Sequence, residues 1–246
     1  MSVALAGYNL IQNRALPGPL YVPANIAVSV GLVALARRRG CSWGDLGLDA
    51  GDAAEGTRLG TLAAGLIAIG AVVAGRGERA RRLLRDERVA GQDRGDVAYH
   101  TLVRFPLGTA LFEEVAFRGV VEGIWRRSGA TEREAAFAAA ALFGLWHLVP
   151  TRDAITGSPL AGNLRTDTAR AGVVLTGAMA TAVASLGFSW LRRRSGSLLA
   201  PWLAHTTVSS AGYIAGVTAW RRQEGGSPDA VEARRLRKWI ASGMLW

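Results

Sequence analysis

The sequence predicts an all-α fold, a polytopic transmembrane helical bundle of about six spans. Three observations carry that prediction. Half of the 246 residues are hydrophobic before the 31 glycines are counted, whereas soluble domains reach about 45–50% with glycine included. The charges are clustered between long neutral runs. Those runs have the right length, since about 20 apolar residues at 1.5 Å each cross a hydrocarbon layer about 30 Å thick. The apolar content also excludes a disordered chain. The single cysteine, Cys41, excludes a disulfide framework or a cysteine-rich zinc module.

The elements follow in order. Residues 1–19 are a short lead containing Pro17 and Pro19. No positive region precedes the first apolar stretch, so the first span is expected to serve as its own insertion signal. That span is 20–36, closed by Arg37, Arg38 and Arg39. Residues 37–58 form a polar connection, whose "SWGDLGL" piece reads as a short amphipathic segment on the surface. The second span is 59–75. Residues 76–96 are strongly charged, and "ERARRLLRDERV" reads as a cytoplasmic helix or loop. A long helix at about 97–127 comes third. The fourth span is 134–150, followed by a Gly/Pro/Thr-containing loop at 151–168. The fifth is 169–191, ending at Arg192, Arg193 and Arg194, and the sixth is 197–220. The tail 221–246, with Trp239, Ile240 and Trp246 among arginines, reads as an interfacial helix. No repeat divides the chain, so 1–246 is taken as one integral membrane domain.

The net charge of +10 and pI near 11.1 invite a nucleic-acid reading. The placement of the arginines at the ends of neutral runs argues against it. They read as juxtamembrane anchors to lipid headgroups in a multi-pass protein of the cell membrane. In a six-span arrangement the side holding 76–96 and the C-terminus carries more arginine and is expected to be cytoplasmic. The triplets at 37–39 and 192–194 oppose that orientation.

The third helix is different in kind. Val97 to Trp125 contains His100, Arg104, Glu113, Glu114, Arg118 and Glu122 between apolar flanks. An ionisable side chain in hydrocarbon costs at least about 2.5–3.5 kcal/mol. The carboxylates are therefore expected either at an interfacial helix end or facing a protein-lined cavity. Glu114 and Arg118 are i, i+4 with the acid first, the favourable order for a pair. Glu113 projects about 100° away and is not committed to Arg118. One carboxylate is thus neutralised while its neighbour stays available as a desolvated general base. His147 in "ALFGLWHL" and His205 in "PWLAHTTVSS" each sit in an otherwise neutral run. Each alone reads as a satisfied core histidine. Together with the Glu pair they supply groups that accept or donate protons, or polarise an oxyanion, in a dry site.

These residues carry a resemblance. "EEVAFR" is similar to the EExxxR signature of the CPBP family of intramembrane proteases, the CAAX prenyl endopeptidases and bacteriocin-processing or abortive-infection-like enzymes. "FGLWH" resembles its FxxxH signature, and "HTTVS" its HxxxN signature with Ser209 where Asn is usual. The likeness covers about 97–220, a protease-like core. It implies an intramembrane endopeptidase acting on a membrane-presented peptide or protein, prenylated or a leader. It implies Glu113 as general base with His147 as partner, Glu114 and Arg118 in support, and His205 with Ser209 at the oxyanion. Losing an oxyanion donor typically costs about 2.7–4 kcal/mol. Ser209 therefore leaves open a slow enzyme, a substitute donor such as Thr206, or no protease activity. The resemblance favours a glutamate mechanism with no cofactor. A zinc ion on Glu113, His147 and His205 is the chemical rival. Two readings from other classes remain: a non-catalytic scaffold or immunity protein on the same fold, and a proton-coupled carrier.

Overall fold

A computed structural model describes residues 2–77, 87–156, 164 and 166–223. Helix α1 is Ser2–Arg14, α2 is Tyr21–Arg38 and α3 is Ala53–Ala74. Helix α4 is continuous through Arg94–Tyr99, His100–Ala110, Leu111–Glu113, Glu114–Val121 and Glu122–Arg127. Helix α5 is Glu132–Trp146, α6 is Leu148–Thr156, α7 is Asp167–Ser195 and α8 is Leu199–Gln223. Among the described residues there is no strand. Four helical stretches are long and apolar enough to cross a membrane: Gly18–Arg38, Ala50–Ala74, Glu132–Thr156 and Asp167–Ser195. The expected count of six is not reached on that criterion. Helices α4 and α8 are long but fall short of it, and they are the ones that carry Glu113, Glu114 and His205.

The ends are set by local chemistry. Asp93 and Asp96 form a capping box that starts α4, and Thr131 with Glu134 forms another that starts α5. Gly196, at φ 70°, takes the left-handed conformation that ends α7. Pro106 sits inside α4, where it has no N–H to give. Here α4 widens into π-type turns, and the Leu111 N–H reaches back to the Pro106 carbonyl. A second wide stretch runs from Glu114 to Val121. Wide turns of this kind recur at functional sites.

Three expectations are corrected. The lead 1–19 contains helix α1, which docks inward: Leu5 joins the core with Phe112, and the Asn9 side chain donates to the Trp146 carbonyl at 3.1 Å. The loop expected at 151–168 is helical to Thr156. The "SWGDLGL" piece keeps Ser42, Trp43 and Leu48 at the surface but is more than a surface segment, because its Leu46 docks inward. Leu46 and Cys41 are buried, and the Leu198 N–H donates to the Gly47 carbonyl at 2.8 Å. Gly119 and Gly123 on α4 permit this approach. A Cβ at Gly119 would meet the Leu46 carbonyl oxygen at 3.2 Å, and one at Gly123 the Asp45 carbonyl oxygen at 3.1 Å. Arg126 and Arg192 then donate to the Asp45 carbonyl. Most of 76–96 before Glu87, and the expected interfacial tail beyond Gln223, lie outside the described residues.

Candidate active site

Helices α4, α5 and α8 bring five of the six expected site residues together. Glu113 and Glu114 are buried at 4% and 1% relative exposure, near the middle of α4 and not at its end. The interfacial alternative is therefore not the one the fold adopts. Glu114 is held through one oxygen: its Oε1 accepts from Arg118 Nη1 at 3.2 Å and from His205 Nδ1 at 2.7 Å, while its Oε2 is buried without a hydrogen bond. Arg118 is sealed in, donating from Nη2 to Ser185 Oγ at 2.7 Å and lying over the rings of Phe143 and Phe188. A buried cation held by a carboxylate, a hydroxyl and two aromatic faces is the arrangement that makes burial tolerable.

Glu113 is held differently. Its Oε1 accepts from the Trp146 indole N–H at 3.0 Å, while its Oε2 is buried and makes no hydrogen bond within the protein. That oxygen lies 3.8 Å from His147 Nε2 and 3.6 Å from His205 Nε2. Both gaps exceed a direct hydrogen bond. His147 caps the C-terminal end of α5, and its Nδ1 lies 2.9 Å from the Phe143 carbonyl. A carbonyl only accepts, so Nδ1 carries the hydrogen, and Nε2 of the neutral ring presents a lone pair. The His205 ring stacks on Phe188 at 5.0 Å and 13°.

Ser209 is the residue the fold does not join to the others. It is half-buried one turn beyond His205, makes no hydrogen bond among the described residues, and lines a separate cavity. That cavity, about 1130 Å³, is bounded by α4, α6, α7 and α8. Its wall includes Ser209 and Thr151, one turn past His205 and His147, but not Glu113. A smaller cavity of about 360 Å³ reaches Glu114 from the side of the 47–50 loop. Among the described residues no group of three or more His, Cys, Asp or Glu is arranged to hold a metal ion.

Sequence reasoning missed Trp146, Ser185 and the Ser189 hydroxyl that donates to Glu122. Trp146 had a signal. It stands next to His147 in an apolar helix, and a buried indole N–H needs an acceptor. The serines on α7 had none, because nothing in their spacing ties them to α4.

Residues 97–211 match the family described as Rce1-like, type II CAAX prenyl endopeptidase. The match covers a little under half of the chain. It contains all six expected site residues, and the resemblance read from the three motifs points to the same group. The match supports, at family level, a peptidase of the CAAX-type intramembrane class. Its four apolar helical stretches accord with an integral membrane protein. Comparisons with curated proteins and with solved structures gave no significant match.

Proposed function

We propose that the chain is a multi-pass intramembrane endopeptidase of the cell membrane, and that it hydrolyses a membrane-presented prenylated or leader peptide with water activated by Glu113 and His147. The single observation that carries this reading is the buried Glu113 Oε2, which has no hydrogen bond and faces the Nε2 atoms of His147 and His205 at 3.8 and 3.6 Å. A water bound there donates one hydrogen to Glu113 and the other to His147. Its oxygen attacks the scissile carbonyl carbon as one proton passes to Glu113. The carbonyl electron pair moves onto oxygen. The C–N bond then breaks as the leaving amine takes the proton back from Glu113.

The neighbours have supporting parts. The Trp146 N–H occupies Oε1 and so turns Oε2 toward the water. Protonated at Nε2, His205 donates to the oxyanion while Glu114 on its Nδ1 balances the charge. Arg118 in turn holds Glu114. No step in this scheme uses a metal.

The test is cleavage of a farnesylated peptide by the purified protein in detergent. Glu113→Ala and His147→Ala are expected to lower the rate by about 10²–10⁴, with chelator leaving the wild type unaffected. Undiminished cleavage in both variants rejects these roles, and loss on chelation with rescue by Zn²⁺ favours the metal reading. One observation favours a second reading, a non-catalytic scaffold or immunity protein on the same fold: the Ser209 hydroxyl makes no hydrogen bond to the cluster. That reading predicts no cleavage by wild type or by Ser209→Asn.

A further inference from the structure

The large cavity has an unusual wall for a membrane bundle. Much of it is small or apolar, with Val173, Gly172, Gly212 and Ile155 among its residues. Among the described residues no Asp or Glu lines it, while Arg88 and Arg104 do. Arg104 makes no hydrogen bond or ion pair among the described residues. Its guanidinium lies over the Tyr21 ring, 3.8 Å from the centroid. Stacking fixes the plane and leaves the N–H edge available, the geometry that grips a carboxylate bidentately. A half-buried cation without an acid is costly unless it meets water or an anion.

We infer that Arg104 binds the free C-terminal carboxylate of the peptide substrate and so sets where the chain is cut. This rests on the protease reading and names a specificity residue for it. The stretch of α4 from Arg104 to Glu113 rises about 13 Å at most. An extended peptide covers that distance in about three to four residues. Ser209 and Thr151, each one turn beyond a site histidine, line the same cavity as Arg104. A substrate gripped by Arg104 therefore enters the cluster with its scissile bond a few residues from its end. Arg104 is a binding residue on this account and takes no part in the proton transfers.

The experiment separates this from the protease reading by measuring binding as well as cleavage. The full-length protein carrying Glu113→Gln is titrated in detergent with a fluorescent farnesylated pentapeptide, as the free acid and as its C-terminal amide. The acid is expected to bind at least ten-fold tighter than the amide. Adding Arg104→Gln is expected to erase the preference, and Arg104→Lys to keep part of it. Thermal melting identifies any variant that fails to fold. Equal binding of acid and amide, or a preference that survives Arg104→Gln in a folded protein, overturns the proposal whether or not the wild type cleaves. With the wild type, cleavage of both peptides at one rate overturns it and leaves the protease reading standing. A wild type that binds the acid selectively but cleaves neither peptide supports the anchor and counts against the protease reading.

Discussion

At the scale of single residues, two adjacent carboxylates are held by different partners. Each keeps one buried oxygen without a hydrogen bond, but Glu114 Oε1 is held by Arg118 and His205, whereas the open oxygen of Glu113 faces two imidazoles. The difference follows from helix geometry, because neighbours on α4 face different helices. Trp146 is the residue that makes Glu113 directional. Trp146→Phe keeps an aromatic ring against Phe112 and Phe117 but removes the N–H. A hydrogen bond to a charged group contributes about 1.5–3 kcal/mol. The expected result is a fall in kcat of about ten-fold or more with folding retained, read by cleavage kinetics alongside thermal melting.

At the scale of elements, small residues decide which helices touch. Helices α3 and α8 meet where a Cβ on Gly60 would lie 2.9 Å from the Ala200 Cα, so the backbones are in contact. Gly60→Val is expected to lower the melting temperature in detergent by several degrees. Gly70→Val, on the same helix with nothing within 4 Å of its Cβ, is expected to leave it within a degree or so. The docked loop has its own switch. Asp45 accepts from the Ser42 N–H at 2.7 Å, and this bond, more than the nearby Arg126 and Arg127, holds its carboxyl below the ordinary range. A depressed folded pKa means the stabilisation is present above the unfolded value of about 3.9 and is lost as pH falls through the folded one. Wild type should therefore melt above Asp45→Asn at neutral pH, by a small margin because the group is exposed. The margin should close on acidification below the unfolded value.

At the scale of the whole molecule, the Rce1-like segment does not stand alone. Helix α1, outside the matched residues, covers the far side of the site: Tyr8 packs on Phe112 at 5.3 Å, and Asn9 holds the Trp146 carbonyl. Removing residues 2–14 takes Leu5 out of the core and uncovers Phe112 and Trp146. Both melting temperature and cleavage rate are expected to fall, and unchanged values for the truncated protein would show that α1 is an accessory. The charges at the two ends of the bundle also look different in three dimensions. Arg37, Arg126 and Arg192 donate to backbone carbonyls of the 41–45 region. They hold a loop down and are not simple anchors to headgroups.

How much was legible in the sequence can be argued from these same residues. Helical class, the neutral runs, the Glu114–Arg118 pair and the three motifs were readable because each depends on neighbours a few positions apart, where the 3.6-residue period fixes who faces whom. Helix α1, the buried turn at Leu46 and the Trp146 and Ser185 contacts were not. Each depends on a partner between 33 and 137 positions away or on an approach between backbones, and no local pattern encodes that. By itself the sequence determined which groups with the capacity for chemistry lie in apolar helices, since composition and periodicity are properties of the chain. Only tertiary packing decided that Glu113, and not Glu114, keeps an oxygen in front of two imidazoles, because that choice is made by helices distant in sequence competing for the same two carboxylates.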